Sequence, residues 1–280
     1  RAAHPLPHLT YNQTPDGPKL AGGEYGLSPR LTPLFQYCGE GPEAPIPQDE
    51  PAYLIHDPDH ALLRRQDGWF TCLSGVVTPP VESRWGQDRQ SYLSIWHEAT
   101  GLIAGGGNAK DQPAFSTFVV GADTAGADED RRYLPTAAQL QTQDGQDQVT
   151  LHYGDSACRL RVAVEGPRRL RLEMQGPGDL PAVGQVQFKL RPGTPLRSAA
   201  GTEFATDGTP VAIEAAAADG WLAHGAWRVQ LPPGSRLTWP ISPFNPYAAQ
   251  GEGPLDEAAA VLSVPLAAEP VSLTVEMIQP

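Results

Sequence analysis

The sequence predicts an all-β protein: a large antiparallel β-sandwich, of supersandwich type, with few or no helices. Three observations carry this. Short runs rich in Val, Ile, Leu and aromatic residues alternate apolar with polar positions, the period of a strand with one buried face. Glycine (29) and proline (30) interrupt these runs often, as frequent turns require. No stretch shows the spacing of a long amphipathic helix; residues 254–258 supply one helical turn at most. At 280 residues the chain is long enough for one large all-β domain, and no fixed-period repeat marks a propeller or solenoid.

Taken in order, residues 1 to about 50 are rich in Pro, Gly and Tyr without periodicity and read as an extended lead-in packing on the sheet. The sandwich domain spans 51–280. Residues 60–65 and 69–77 flank Gln66-Asp67-Gly68, and Asp-Gly is a strong hairpin signal. Residues 92–97 and 101–104 flank a second turn at 98–100, and 115–120 form a further strand. The acidic, small-residue stretch 123–130 reads as an exposed loop. In 158–165 and 169–175 alternate residues are apolar, which places Arg159, Arg161, Arg169 and Arg171 on the opposite, outward face. Residues 185–190, 210–215, 227–231, 236–239, 259–266 and 271–278 complete the set. The run Trp239-Pro240-Ile241-Ser242-Pro243-Phe244-Asn245-Pro246-Tyr247 is too proline-rich for a central strand and reads as an ordered aromatic loop, packing across a sheet edge or lining a groove.

Formal net charge is -12, and no long Lys/Arg stripe exists to replace counterions, which argues against nucleic acid or an anionic membrane as partner. No apolar run reaches the roughly 18 residues of a transmembrane helix. A polyanionic ligand needs a local basic patch; Arg84 and Arg89 with Lys110 come nearest to one. The three cysteines, Cys38, Cys72 and Cys158, are far apart, form no CxxC and read as free buried thiols, with one disulfide as the alternative. The chain opens RAAHPLPHL, with neither an initiator Met nor a signal peptide, as a processed chain or a piece of a longer protein does.

The richest stretch for chemistry is 84–121, RWGQDRQSYLSIWHEATGLIAGGGNAKDQPAFSTFVVG. Alternation puts Trp96 and His97 on opposite faces of one strand unless a bulge intervenes. Trp96 can stack on a sugar face and His97 can act as acid, base or donor; a Trp plug beside a satisfied core His is the plainer alternative. Gly105-Gly106-Gly107-Asn108-Ala109-Lys110 lacks the spacing of a phosphate loop and reads as close backbone approach, with Asn108 and Lys110 at a rim. His56, Asp57, Asp59 and His60 fall within five residues, a weak candidate for a structural zinc or calcium, although Pro58 bars the helix that would align the two histidines. No cofactor is expected. There is no G-x-S-x-G elbow, and no carboxylate pair stands out as acid and base.

The block SYLSIWHEATGLIAGGGNAKDQPAFSTF, with LLRRQDGWFTCLSG before it and WPISPFNPY near the end, resembles the C-terminal β-sandwich of heparinase II/III-like polysaccharide lyases over roughly residues 50–280. The resemblance implies a supersandwich that follows an N-terminal α/α toroid, with an acidic polysaccharide or oligosaccharide bound in the cleft between them. It implies proton abstraction at C5 of a uronic acid and elimination of the 4-linked sugar, with most of the machinery on the toroid. The sandwich then supplies a His, for which His97 is the candidate, and glycan contacts from Arg84, Trp85, Arg89, Trp96, Asn108 and Lys110. It also implies a secreted or periplasmic location. No helical toroid is encoded in these residues, so elimination by the chain alone is not expected. Two other functions compete: a non-catalytic carbohydrate-binding module, and an aldose-epimerase-like sugar enzyme. The latter needs a His and a Glu facing each other, such as His152 with Glu173 or His97 with Glu82.

Overall fold

A computed structural model of the chain describes residues 11–14, 17–20, 50–80, 82–85, 91–105, 110, 112–121 and 132–278. It divides into two compact units, Arg1–Asp49 and Glu50–Pro280. In the first, β1 (Tyr11–Thr14) and β2 (Gly17–Leu20) pair as an antiparallel hairpin.

The second unit is a β-sandwich. In chain order it contains β3 (Tyr53–Asp57), β4 (Ala61–Gln66), β5 (Trp69–Ser74), β6 (Leu93–His97), β7 (Gly101–Gly105) and β8 (Phe118–Val120). Next come β9 (Ala137–Gln143), β10 (Gln146–Tyr153), β11 (Ser156–Val164), β12 (Arg169–Gln175), β13 (Ala182–Lys189), β14 (Leu196–Ser198) and β15 (Glu203–Phe204). The last group is β16 (Val211–Glu214), the one-turn helix α1 (Ala215–Ala218), β17 (Trp221–His224), β18 (Trp227–Gln230), β19 (Arg236–Ile241), β20 (Ala259–Leu266) and β21 (Val271–Met277). A ten-stranded sheet runs β16-β19-β20-β13-β7-β6-β5-β4-β3, with β8 also paired to β13; a nine-stranded sheet runs β15-β14-β17-β18-β21-β12-β11-β10-β9. The pairings are antiparallel.

Alternation explains the two layers. Along β11, Cys158, Leu160 and Val162 are buried while Arg159 is exposed; along β5, Trp69, Thr71 and Leu73 are buried. Inward residues of both sheets form one apolar core, with Trp69, Leu62, Ile95, Phe188 and Leu262 from one sheet against Leu151, Leu160, Leu172 and Val275 from the other. The sheets approach closely at Gly184, where a Cβ would stand 2.5 Å from Met174 Cε. One ion pair bridges them: Arg64 of β4 donates to both Asp147 oxygens at 2.7 Å, and Asp147 on β10 is only 1% exposed. Cys158 is a free thiol, and burial pushes it up to about 12. Cys38 lies outside the described residues.

Several features differ from the sequence reading, the short strands β14, β15 and β17 among them. The β9–β10 hairpin was not expected; Asp144 (φ 51°) and Gly145 (φ 76°) make the same tight turn as Asp67-Gly68. β19 continues through Pro240 to Ile241, because its register with β20 shifts between Thr238 and Ile241 and no ladder hydrogen bond is asked of the proline. α1 is a full helical turn at 215–218, ended by Asp219 in the left-handed region. The acidic stretch 123–130 lies outside the described residues.

Candidate functional site

The proline-rich segment after β19 is pinned by Gln112. Its Nε2 donates to the Ser242 carbonyl at 3.0 Å, and its Oε1 accepts the Phe244 N–H at 2.8 Å. The loop closes on itself: Asn245 N–H donates to Gly251 O and Gly253 N–H to Pro243 O, both at 2.8 Å. Asn245 Oδ1 accepts the Tyr247 N–H at 2.9 Å, an Asx turn that projects the Tyr247 ring outward, where it is 76% exposed. Against this ring stands Trp85, with centroids 5.4 Å apart and planes at 54°. The Arg84 guanidinium lies 5.4 Å above the Trp85 ring, and its Nη2 donates to Ala248 O at 3.2 Å.

Chemically, this rim offers the exposed Tyr247 ring, the half-buried Trp85 ring and an exposed guanidinium. Aromatic faces stack on the C–H surface of a sugar, and a guanidinium pairs with a carboxylate or sulfate. Lys110, half-buried, precedes the Gln112 clamp by two residues. Arg84 and Trp85 of the sequence-derived set thus flank this loop, whereas the Lys110 ammonium is buried. Arg89 and Asn108 lie outside the described residues. Tyr247 and Gln112 are the residues that sequence reasoning did not single out.

Trp96 and His97 do not join this rim. The β6–β7 register shifts between Ile95 and Trp96, leaving Ile103 unopposed, and the two residues stay on opposite faces. Trp96, 36% exposed, sits on the outer face in a cross-strand row with Phe70 and Leu102. It lies beside the closed end of the β6–β7 hairpin, whereas Lys110 and Gln112 follow from its open end. His97 points into the interior and is 6% exposed. Its Nδ1 accepts the Ala99 N–H at 3.1 Å, so its Nε2 carries the proton and donates to Pro167 O at 3.1 Å. Trp69 packs edge-on against the imidazole at 4.6 Å and donates to the adjacent carbonyl, Gly166 O, at 3.1 Å. Both ring nitrogens of His97 are therefore engaged, Nδ1 within its own hairpin turn and Nε2 in holding that turn to the β11–β12 turn of the other sheet.

The histidine-aspartate segment forms the β3–β4 turn. Asp57 Oδ2 bonds His60 Nδ1 at 3.0 Å and Oδ1 accepts the Asp59 N–H at 3.1 Å; the hydrogen bond from His60, then that from Asp59, hold the Asp57 carboxyl below its ordinary value. Alternation turns His56 to the opposite face of β3 from Asp57. Among the described residues no three His, Cys, Asp or Glu side chains converge as a metal site. His152 and Glu173 do not face each other either: they are two strands and two rows apart, about 16 Å at ordinary sheet spacings. Glu173 is bound to Arg161 and Arg171, and His97 and Glu82 share no contact among the described residues.

No family model matches the chain, and no curated protein does. Solved structures similar to it include heparan sulfate lyase HepC from Pedobacter heparinus, at 13% identity and a TM-score of 0.41, over 90% of this chain and 40% of that one. Heparinase III is similar at 12% identity and a TM-score of 0.40, over 81% and 36%. A 4-alpha-glucanotransferase from Thermococcus litoralis is similar at 8% identity and a TM-score of 0.39, over 82% and 39%. The chain thus spans about two fifths of the length of these proteins.

Proposed function

We propose that this chain is the β-sandwich portion of a heparinase II/III-like polysaccharide lyase, binding an acidic polysaccharide and at most assisting its β-elimination. The observation that carries the binding is the exposed Tyr247 ring against the half-buried Trp85, with Arg84 beside them, on a loop locked in place by Gln112. A pre-positioned aromatic face loses little entropy on stacking against a sugar, and the guanidinium supplies the charge that a uronate or sulfate needs. The resemblance of SYLSIWHEATGLIAGGGNAKDQPAFSTF, LLRRQDGWFTCLSG and WPISPFNPY to the lyase sandwich supports the ligand class. The α/α toroid that the resemblance implies is the partner that would carry most of the chemistry.

A non-catalytic carbohydrate-binding module is the second reading. The engagement of both His97 nitrogens favours it, since His97 could act on substrate only after its bonds to Ala99 and Pro167 opened. Calorimetric titration of a uronate-containing oligosaccharide tests the site. Trp85→Ala and Tyr247→Ala should each weaken binding about tenfold while leaving the melting transition in place. Unchanged affinity in both variants would move the glycan elsewhere.

A further inference from the structure

The outer face of the nine-stranded sheet carries a second polar surface, on the sheet opposite the one that leads into the Tyr247 loop. Its register lines up Gln141 of β9, Gln148 of β10, Arg161 of β11 and Glu173 of β12 in one row, with Thr150, Arg159 and Gln175 in the next. Between β9, β10 and β11 the face dips into an open depression of about 470 Å3, whose lining includes Gln141, Gln146, Gln148, Asp144, Arg159 and Arg161; every lining side chain is polar.

The depression is pre-ordered. Arg161 Nε donates to Gln148 Oε1 at 2.8 Å and its Nη1 to Glu173 Oε1 at 2.7 Å, which fixes the guanidinium plane. Gln148 Nε2 donates to Thr150 Oγ1 at 3.2 Å. Arg159 is held by the neutral Gln175 amide at 3.3 Å and has no carboxylate partner among the described residues. The face also presents guanidinium groups on an acidic chain. In the depression Arg159 and Arg161 stand against Asp144 and the Arg161-bound Glu173, which leaves Arg159 as the cation there with no ion-pair partner among the described residues.

We infer that this face is a second binding surface for an acidic oligosaccharide, centred on Arg159 and Arg161. Guanidinium groups select carboxylate or sulfate, and the glutamine amides, each both donor and acceptor, match the hydroxyls between those groups. An acidic peptide would want apolar pockets for its side chains, and the depression has none. In its ligand class this inference rests on the proposed function; in its location it is separate.

The test is calorimetric titration of the full chain with a sulfated glucosamine–uronate hexasaccharide at low and physiological salt. The account expects two sites. Trp85→Ala removes one, and Arg159→Gln/Arg161→Gln weakens the other at least tenfold with a shallower salt dependence. Arg159→Gln alone, which breaks no ion pair, should weaken that second site severalfold if the double variant fails to fold. A single site abolished by Trp85→Ala and indifferent to both arginine variants overturns this inference and leaves the proposed function standing. A single site abolished only by the arginine variants supports the inference and overturns the Trp85 rim. Displacement of the hexasaccharide from the second site by an equal concentration of oligoglutamate overturns the sugar assignment.

Discussion

The His97 imidazole accepts from Ala99, donates to Pro167 and meets the edge of Trp69, so it acts as a latch between the hairpin turn of one sheet and the β11–β12 turn of the other. Removing it leaves a buried N–H and C=O unpaired and a cavity beside Trp69. His97→Ala should therefore lower stability by about 2–4 kcal/mol in urea unfolding while leaving glycan affinity of the folded fraction unchanged. Lost affinity at unchanged stability would return His97 to the site. His224 offers a pH-dependent counterpart. Its Nε2 accepts the Arg191 N–H at 2.9 Å, and burial lowers its pKa from 6.5 to about 4, aided by the charge of Arg191. The unfolded chain takes up this proton first. The contribution is thus complete above pH 6.5 and falls as pH drops toward 4, by about 3 kcal/mol at most. His224→Gln, which can still accept from Arg191, should flatten the pH dependence of the urea midpoint across that window; an unchanged slope would assign it to other groups.

At the scale of elements, the Arg64–Asp147 bridge ties β4 to β10 across the core, with Thr142 of β9 accepting from Arg64 at 3.1 Å. The hydrogen bonds that Arg64 donates to Asp147 raise the Arg64 pKa, against its burial. Asp147→Ala strands a half-buried cation and should cost about 3 kcal/mol in chemical unfolding, whereas Arg64→Met with Asp147→Leu should cost much less. Equal losses would mean that the pair contributes through charge attraction after all. Elements whose outward residues are ordinary were legible: the apolar alternation of CRLRVAVE and RLRLEM gives β11 and β12 directly. β9 and β10 were not, because AAQLQTQ and QDQVTLHY set glutamines on the outer face and a buried Asp147 on the inner one, which blurs the period. The signal that could have found them is Asp144-Gly145 between them, the same dipeptide that marked the β4–β5 turn. Pro240 misled in the opposite direction, since a register shift lets a central strand hold a proline.

For the whole molecule, the all-β sandwich could be read because strand periodicity and turn residues are local properties, repeated many times along the chain. The rim could be read only in part. Arg84 meets Ala248 across 164 residues and Gln112 meets Phe244 across 132, distances over which no spacing rule reports proximity. The spacing of residues thus singles out Arg84 and Trp85 but not the Tyr247 ring that stands against Trp85, nor the inward turn of His97 by the strand alternation that exposes Trp96. The proposed surface is one of recognition, with the Tyr247 ring and the Arg84 guanidinium outside and His97 engaged inside. The measurement that addresses this most directly is a titration of the intact chain with a uronate-containing polysaccharide, following tryptophan fluorescence and the absorbance of unsaturated product in one cuvette. Saturable binding, lost in Trp85→Ala and unaccompanied by product, is the predicted result. The absence of binding, or product that accumulates and persists in His97→Ala, would contradict it.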